Sequence, residues 1–483
     1  MKKVLMIAYF FPPLGGSGVQ RTLKFVKYLP NYGIQPLVST VKSGHNFAYD
    51  ESLFNEIPET VQIHRSSSLE TLWLRFIIEK IALRRRRSAS EDNSDNKLDD
   101  SLDDRTVNNT VNNATATESL HVDQGKSIKQ RLFEFIDNYL FIPDSKMRWL
   151  PFGFLKSLQI ARREEVDYLY STSYPYTTHL IALLVHKFYK KPWIADFRDP
   201  WVGNKAMQKP IPFRIKLDDW LEGKVVQNAD HIVNVTPSLT EMYQKRYPEH
   251  VQKMITITNG FDPDDFTGIR PVHQKKFTLI HTGIIAEAYD METFVEGIDY
   301  FLEKHPEARE NFQALFIGFV PPKYEELLRN KLKETVTIMP YMSHKEVLNY
   351  QAGAHLLFLT FDQSVDIAYS GKIFDYIGIG KPILGLLPVG VAAQLILERK
   401  LGTVASLGKP LELAAAVSQY FNAWREREEQ CPVTQEDRHV ETQQEAQCVA
   451  KNKNARHTEA LATEKCADFN RVNLAGQLAS LMK

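Results

Sequence analysis

Cysteine is scarce in this chain, and both long hydrophobic runs and an excess of one charge are missing. Only three of the 483 residues are cysteines, Cys431, Cys448 and Cys466, and their spacing fits neither a disulfide framework nor a zinc site. The longest apolar runs are too short to span a bilayer. Because 59 basic residues balance 59 acidic ones, wholesale nucleic-acid binding, which needs a basic excess, is not indicated. We expect a cytoplasmic protein.

The chain is long and apolar enough for two sizeable domains, with 43% hydrophobic residues. Its first residues, two lysines and an apolar run, are similar to the start of a signal peptide. However, Pro12 and Pro13 break the run and a glycine-rich loop follows. We therefore predict a first β-strand over Val4–Phe11, buried on both faces, and a second over Ile34–Val41.

The loop after the first strand contains Gly15, Gly16 and Gly18 directly before an amphipathic run. Glycines at a helix N-terminus let the backbone approach an anionic ligand closely. A dinucleotide-binding Rossmann site is the rival interpretation, but GGSG does not fit G-x-G-x-x-G.

Three segments stand apart in composition. Leu69–Leu83 predicts a largely apolar helix, followed by Arg84–Arg87. It is either a buried helix with a solvated basic tail or an amphipathic element held against anionic lipid. Residues 88–125 and 425–464 are polar. We predict that the first is a disordered insertion and that the second is flexible or loosely helical.

Polar residues follow two apolar strands within residues 167–201. Ser171, Ser173 and His179 cluster at one strand end, and Asp196, Arg198 and Asp199 follow the next strand. Charged residues behind a buried parallel strand point to a binding site at that edge of the sheet. The alternative is a structural Asp–Arg pair that closes the loop.

The stretch Tyr369–Pro388 predicts a second anion site. Ser370 and Gly371 can begin a helix with Lys372 in its first turn, so that backbone amides, the helix dipole and an ammonium group favour the same anion. Asp375 follows one turn later, and Ile383–Leu387 predicts a buried strand. The alternative is an ordinary βαβ unit whose Gly-Lys-Pro only ends the helix.

The second half of the chain repeats the pattern of the first. Phe277–Ile285, which includes Gly283, Phe312–Phe319 and His355–Phe361 predict further strands, and Ser343 predicts a helix cap. His344 and His355 lack a second ligand at metal-site spacing, so we expect surface and packing roles.

SGKIFDY followed by GKP resembles the nucleotide-sugar-binding stretch of the large retaining group of GT-B glycosyltransferases (family 4-like). IPDSKMRWLP, SYPYTTHLIA, ADFRDPW and ITITNGFDPDDF resemble further motifs of one subgroup, in family order. The resemblance implies an α/β GT-B fold, with two Rossmann-like doubly wound domains facing across a cleft. It places the acceptor-side domain at residues 1–268, the donor domain at 269–464, and a helix that crosses back to the first domain at 465–483.

The resemblance also implies a function. The chain would move a sugar from a nucleotide diphosphate-sugar to a glycan or lipid-linked glycan acceptor, with retention and without a metal or other cofactor. The setting would be synthesis of cell-surface polysaccharide or glycoconjugate, with possible peripheral contact to the inner membrane face. The residues that the resemblance implies for catalysis are Arg198, Asp196 and Lys372, with Asp196 and Asp199 orienting Arg198. The residues that would bind the donor are Gly15, Gly16, Gly283, Ser370, Gly371, Lys372 and Asp375, of which Asp375 would hold the ribose. His179 and Asp199 would lie on the acceptor side.

Two departures from the family pattern support a second hypothesis. The first Glu of the Glu-x7-Glu motif falls at Ile367, and the Arg and Lys that most members have after the first strand of the donor domain are missing from IIAEAYDMETF. The chain could therefore be a catalytically inactive GT-B-like binding or scaffold protein. A dinucleotide-dependent oxidoreductase, the third hypothesis, rests only on the first glycine loop.

Overall fold

The computed structural model describes residues 1–42, 49–69, 139, 141–204, 211–362, 367–430 and 465–483. The chain forms two compact units. The first contains Met1–Val233, Tyr247–Ile255 and Met482, and the second contains Asn234–Arg246, Thr256–Leu481 and Lys483. The domain boundary predicted after residue 268 lies within the second unit. The predictions for Leu69–Arg87, for the insertion at 88–125 and for residues 431–464 concern segments that lie almost entirely outside the described residues.

A seven-stranded sheet organises the first unit, in the order β3-β2-β1-β4-β5-β6-β7. β1 pairs in parallel with β2 and β4, and β3 and β5 extend the same parallel arrangement. Residues Val4 to Ile7 of β1 are fully buried, because helices cover both faces of such a sheet. The strands are β1 Lys2–Ile7, β2 Ile34–Val41, β3 Gln62–Ser66, β4 Tyr168–Ser173, β5 Trp193–Phe197, β6 His231–Asn234 and β7 Met254–Thr256.

Four described α-helices belong to the first unit: α1 Ser17–Tyr28, α2 Leu150–Arg163, α3 Thr177–Tyr189 and α4 Pro212–Asn228. α1 follows β1 through the glycine loop, as the sequence predicts. α3 packs against both α2 and α4. The side chains that α4 buries include a charged triplet, Arg214, Asp218 and Glu222.

The second unit contains a six-stranded sheet in the order β10-β9-β8-β11-β12-β13, parallel throughout. Numbered within the unit, this order is 3-2-1-4-5-6, the arrangement of doubly wound nucleotide-binding domains, which bind ligands beyond the carboxyl ends of the strands. The strands are β8 Phe277–Thr282, β9 Phe312–Ile317, β10 Val336–Met339, β11 Leu356–Thr360, β12 Ile383–Leu387 and β13 Gly402–Ser406.

Helices cover both faces of the second sheet. Within β8, Leu279 packs into one buried apolar cluster and Ile280 into another, so neighbouring residues face opposite cores. The helices are α5 Pro237–Arg246, α6 Met291–Lys304, α7 Ala308–Asn311, α8 Pro322–Leu332, α9 His344–Gly353, α10 Gly371–Ile379, α11 Val391–Glu398, α12 Pro410–Gln430 and α13 Arg471–Ser480.

Several local predictions are confirmed. β2 and β12 have the predicted bounds, and Ser343 caps α9 with a complete capping box. The other predicted strands end earlier than predicted: β1 ends at Ile7 and β11 at Thr360, and β8 and β9 end just before Gly283 and Gly318. Residues 425–430, predicted to be flexible or loosely helical, continue α12, where the Trp424 ring packs 5.9 Å from that of Phe277.

The last residues of the chain are divided between the two units. Met482 groups with the first unit, where Lys2 Nζ donates a hydrogen bond to its carbonyl oxygen at 3.1 Å. The preceding helix α13, which was predicted to cross back to the first domain, belongs to the second unit.

In the part of the chain that the structure describes, we find no helix with the length and hydropathy needed to traverse a bilayer.

Candidate functional site

The N-terminus of α10 is built as the sequence predicts. Ser370 is its N-cap, with the hydroxyl oxygen accepting a hydrogen bond from the backbone N–H of Lys372 at 3.3 Å. A Cβ atom added at Gly371 would meet nothing within 4 Å, so space at the start of the helix is open. Gly380 ends the helix in the left-handed conformation at φ 76°.

Lys372 extends from this first turn to the end of β8. Its Nζ lies 3.4 Å from the Ile284 carbonyl oxygen and 3.4 Å from His281 Nε2. Burial lowers the pKa of Lys372 to about 8, because an ammonium group loses hydration there and these two partners are neutral. An anion beside Nζ would offset that cost.

His281 fixes the position of the ammonium group. It lies within β8, is almost fully buried, and its Nδ1 is 3.1 Å from the Phe358 carbonyl oxygen. Burial and the charge of Lys372 hold the pKa of His281 well below its usual value, so the ring is neutral. Because a carbonyl can only accept, Nδ1 bears the hydrogen and Nε2 accepts from Lys372.

Gly283 makes room for the Lys372 side chain. At φ 99° it adopts a conformation that favours glycine, and a Cβ atom there would lie 2.8 Å from Lys372 Cε. Gly318, which follows β9, packs directly against the backbone of Gly283, and a Cβ atom added at Gly318 would clash with the Gly283 carbonyl oxygen. Backbone bonds from Gly283 to Ile317 and from Ile285 to Phe319 join the two strand ends.

Asp375 lies one turn after Lys372 on α10. One of its carboxylate oxygens is 3.4 Å from His344 Nε2, and both side chains are partly exposed. Its carboxylate is thus accessible at the same edge of the sheet. Ile367, which stands where the family has its first Glu, accepts a hydrogen bond through its carbonyl oxygen from the Thr236 hydroxyl at 2.7 Å.

In the first unit, Arg198 lies beside the glycine loop. One guanidinium nitrogen donates to the Gly18 carbonyl oxygen at 3.1 Å, and a Cβ atom at Gly18 would touch the same nitrogen at 3.4 Å. Arg198 Nε is buried, and no described residue offers it a hydrogen-bond partner. Gly16 is exposed at φ 88° as the N-cap of α1, and Gly15, directly before it, is buried. The cation and the amides of this helix start are therefore neighbours.

Asp196 occupies a different network from the one expected. It is fully buried and accepts hydrogen bonds from Arg21 Nε at 2.8 Å and from a second Arg21 nitrogen at 2.7 Å. The hydroxyls of Tyr170 and Thr172 donate to it at 2.7 and 2.8 Å. Burial alone would raise its pKa, but Arg21 and these donors hold the pKa of Asp196 below its usual value. Asp196 thus forms an Asp–Arg pair with Arg21 of α1, which is not the loop-closing pair considered above, and an orienting role toward Arg198 stays a prediction.

His179 is also fully buried. Its Nδ1 and the Ser171 hydroxyl share a hydrogen bond of 2.8 Å, and Trp193 Nε1 donates to the same hydroxyl oxygen at 2.9 Å. Burial lowers the pKa of His179 to about 3, so the ring is neutral, and Nε2 is its other ring nitrogen. That nitrogen has no partner among the described residues.

Asp199 is half-buried in the loop after β5. Burial and the Asp199 charge raise the pKa of the Tyr176 phenol well above its usual value, so Tyr176 stays protonated and donates to the Pro200 carbonyl oxygen. The Tyr176 ring stacks on Trp201 at 4.9 Å. Trp201 donates in turn to Asp218 at 3.0 Å, which anchors the loop to α4.

The predicted residues therefore form two groups, each within one unit. Gly283, Ser370, Gly371, Lys372 and Asp375 meet at the carboxyl edge of the second sheet, and Arg198 meets the glycine loop at that of the first. Sequence reasoning missed His281 and Arg21. His281 lies inside a predicted strand, where an alternating pattern gives no sign of a polar partner. Arg21 lies in an amphipathic helix, where a basic residue normally indicates a solvated face.

The two sheets define the class of the protein, a two-unit α/β protein with the GT-B fold. No family model and no curated protein matches the sequence. The fold is nevertheless similar over the whole chain to solved structures. Sucrose-phosphate synthase from Thermosynechococcus elongatus is 13% identical, with a TM-score of 0.56, covering 100% of this chain and 98% of that one.

Two more structures show the same likeness. Anabaena HepE, solved in complex with UDP-glucose, is 12% identical with a TM-score of 0.55, and the match covers 100% of this chain and 99% of HepE. WaaG, a glycosyltransferase involved in lipopolysaccharide biosynthesis, is 12% identical with a TM-score of 0.52, covering 99% of each chain. At such identities the comparison supports the fold alone.

Proposed function

We propose that this chain is a glycosyltransferase that moves a sugar from a nucleotide diphosphate-sugar to a glycan or lipid-linked glycan acceptor. One observation supports the proposal above all. The half-buried ammonium of Lys372 lies at the carboxyl end of β8 beside the open first turn of α10. A protein tolerates such a costly cation where an anionic ligand completes its environment.

The donor diphosphate fits this position chemically. Lys372 has three N–H bonds, and His281 and Ile284 accept two of them, which leaves one for a phosphate oxygen. The amides at Ser370 and Gly371 and the helix dipole would stabilise a second oxygen. Gly283 would let the diphosphate approach the backbone without a Cβ in the way. UDP-glucose binding by HepE, which shares the fold, supports this ligand class.

Asp375 is the residue for the ribose. A carboxylate accepts hydrogen bonds from two hydroxyls at once, and this one is partly exposed one turn beyond Lys372. Ile284 and Phe319 are exposed apolar side chains on the joined loops after β8 and β9, and would give the base an apolar surface.

Catalysis would consist of stabilising the leaving diphosphate as its charge develops. Lys372 would do so in the second unit. In the first unit, Arg198 keeps the catalytic role, and Gly15 and Gly16 the donor-binding role, that the motif resemblance implies for them. These residues would serve without a bound metal or other cofactor. Retention of configuration, and a role in synthesis of cell-surface polysaccharide or glycoconjugate in the cytoplasm, follow only from the motif resemblance and belong to the proposal.

On the acceptor side, Asp199 is the predicted residue that solvent can reach. His179 is fully buried, so it would contact an acceptor only after its neighbours move; its direct effect here is to hold Ser171. A second candidate function is a non-catalytic GT-B-like binding protein. This second function is favoured by the loop from Gly283 to Asp290, which contains no lysine or arginine. Of the site residues named in the second unit, Lys372 is then the single cation available to a diphosphate.

A turnover assay tests the proposal. The protein is incubated with UDP-, GDP- and ADP-hexoses and a bacterial lipid extract as acceptor, and released nucleoside diphosphate is measured. We expect release with one base, reduced about 100-fold or more by Lys372→Met and by Arg198→Met, because loss of one transition-state donor costs about 2.7–4 kcal/mol. Lys345→Met, which removes an exposed cation on α9, is the matched control. Turnover that survives both substitutions would refute the assignment, and binding without any turnover would favour the scaffold.

A further inference from the structure

The outer surface formed by α2, α3 and α4 in the first unit exposes an unusual set of large apolar side chains. Their exposed fractions are 63% for Leu155, 57% for Phe188, 60% for Phe213 and 57% for Trp220. The rings of Phe154 and Phe188 lie 5.6 Å apart and join α2 to α3, and α3 packs against α4. We call these three helices the outer helical face.

Helix α4 is unusual because it buries charged side chains and exposes aromatic ones. Its charged residues Arg214, Asp218 and Glu222 face inward. Glu222 accepts hydrogen bonds from the Val202 N–H at 2.9 Å and the Tyr247 hydroxyl at 2.7 Å, and Asp218 accepts from Trp201. Polar contacts therefore hold α4 in place, and its outward aromatic residues are not needed to attach it.

The outward residues of α4 form one stripe. Phe213, Lys216, Trp220 and Lys224 are spaced by three and four residues, which places them on the same side of a helix. The Lys224 ammonium lies 6.0 Å from the centre of the Trp220 ring. Aromatic rings beside lysines whose charged ends extend outward are typical of elements that lie at a membrane interface.

Charge on the outer helical face points to an anionic surface. Within α2, α3 and α4 the exposed or half-buried charged side chains are six cations and one acid, Asp219, and Glu164 at the C-cap of α2 pairs with Arg163; the whole chain is neutral. The cations are Lys156, Arg162, Arg163, Lys187, Lys216 and Lys224. A second copy of the same face would meet it with like charge, which disfavours a symmetric dimer through these helices.

We propose that the outer helical face docks this protein on an anionic phospholipid bilayer, with Phe213 and Trp220 entering the interface and Lys216 and Lys224 contacting lipid phosphates. The docking stands on these helices alone and does not depend on the proposed transferase activity. It also differs from the membrane contact considered for Leu69–Arg87, because it uses other residues.

Co-sedimentation of the full chain with vesicles tests the docking. Vesicles of mixed phosphatidylglycerol and phosphatidylcholine are compared with phosphatidylcholine alone, without nucleotide. We expect the bound fraction to depend on phosphatidylglycerol and to fall with salt. The double variant Lys216→Glu, Lys224→Glu should weaken binding about tenfold or more, because each cation near an anionic surface contributes about 1 kcal/mol. The double variant Phe213→Ser, Trp220→Ser should weaken it by a similar factor, because it removes the apolar area buried in the interface.

Matched controls come from the second unit, where Tyr300→Ser and Lys331→Glu remove an exposed ring and an exposed cation. These should leave vesicle binding unchanged, and unchanged thermal unfolding should show that all variants fold. Binding that the α4 variants retain would overturn the proposal, as would binding lost only when Arg84–Arg87 are replaced by serine. A dimer that Trp220→Ser dissociates, with no vesicle binding, would also overturn it.

Discussion

The Lys372 ammonium combines a cost in stability with the binding role that we propose for it. Its hydrogen-bond partners among the described residues are a carbonyl and a neutral imidazole, and neither carries a negative charge that would offset the lost hydration. Its pKa falls from 10.5 to about 8. At about 1.36 kcal/mol for each pKa unit, the charged form costs the folded protein up to about 3 kcal/mol.

We expect Lys372→Met to raise the free energy of unfolding at pH 7 by about 1–3 kcal/mol. The pKa of Lys372 is lower in the folded chain than in the unfolded chain, so the unfolded chain binds more protons between about pH 8 and 10.5. The free energy of unfolding of the native protein should therefore rise relative to that of the variant across this window, and the difference should vanish near its upper end. Denaturant unfolding at several pH values measures it.

The control for this experiment is Lys345→Met, whose stability difference should not change over the same window. A Lys372→Met variant less stable than the native protein at pH 7 would contradict a desolvated ammonium. So would a difference between variant and native protein that does not depend on pH.

At the residue scale the sequence predicts the local structure at the start of α10 well, and the contacts of Asp196 poorly. Ser370, Gly371 and Lys372 were predictable because capping and helix-dipole rules act over one turn of local chain. The contact of Asp196 with Arg21 could not be predicted, because Arg21 lies 175 residues away and only the fold brings the two side chains together. His281 was missed for the same reason, since its partner comes from another element.

At the scale of elements, α10 depends on its N-cap both for stability and for the proposed site. The same helix start that Ser370 stabilises would offer its amides to the donor. A second capped helix of the same unit, α9, has its own serine, Ser343, which bonds to the N–H of Glu346 at 3.4 Å. The two caps form a natural pair for comparison.

We expect Ser370→Ala to lower the free energy of unfolding by about 1 kcal/mol and to weaken nucleotide binding severalfold, because the first turn of α10 then frays. Ser343→Ala should cost similar stability and leave nucleotide binding unchanged. Thermal unfolding and titration calorimetry with UDP measure the two effects. Equal losses of binding in both variants would show that the start of α10 has no special part in the site.

Element prediction from the sequence was reliable where strands are buried on both faces, as in β2 and β12, because continuous apolar runs bounded by turn residues allow few alternatives. α4 illustrates the opposite case. Its inward charges and outward aromatic residues reverse the pattern that identifies a buried helix face, so its orientation could be found only from the fold.

At the scale of the whole molecule, two units with the same order for their first six strands account for the likeness to glycosyltransferases at 11–13% identity. The motif order in the sequence predicted this architecture, because the motifs follow the strand ends at which such folds place their sites. The sugar, the base and the acceptor depend on loop side chains, and neither the strand order nor the motifs specify them.

The central claim is that the carboxyl edge of the second sheet binds a nucleotide diphosphate-sugar through Lys372. Titration calorimetry of the full chain with UDP-, GDP- and ADP-hexoses tests it most directly, with Lys372→Met and Lys345→Met measured alongside. We predict binding selective for one base, weakened about tenfold or more by Lys372→Met and unchanged by Lys345→Met, since a hydrogen bond to a charged group contributes about 1.5–3 kcal/mol. No heat with any donor, or equal affinity in Lys372→Met, would contradict the account.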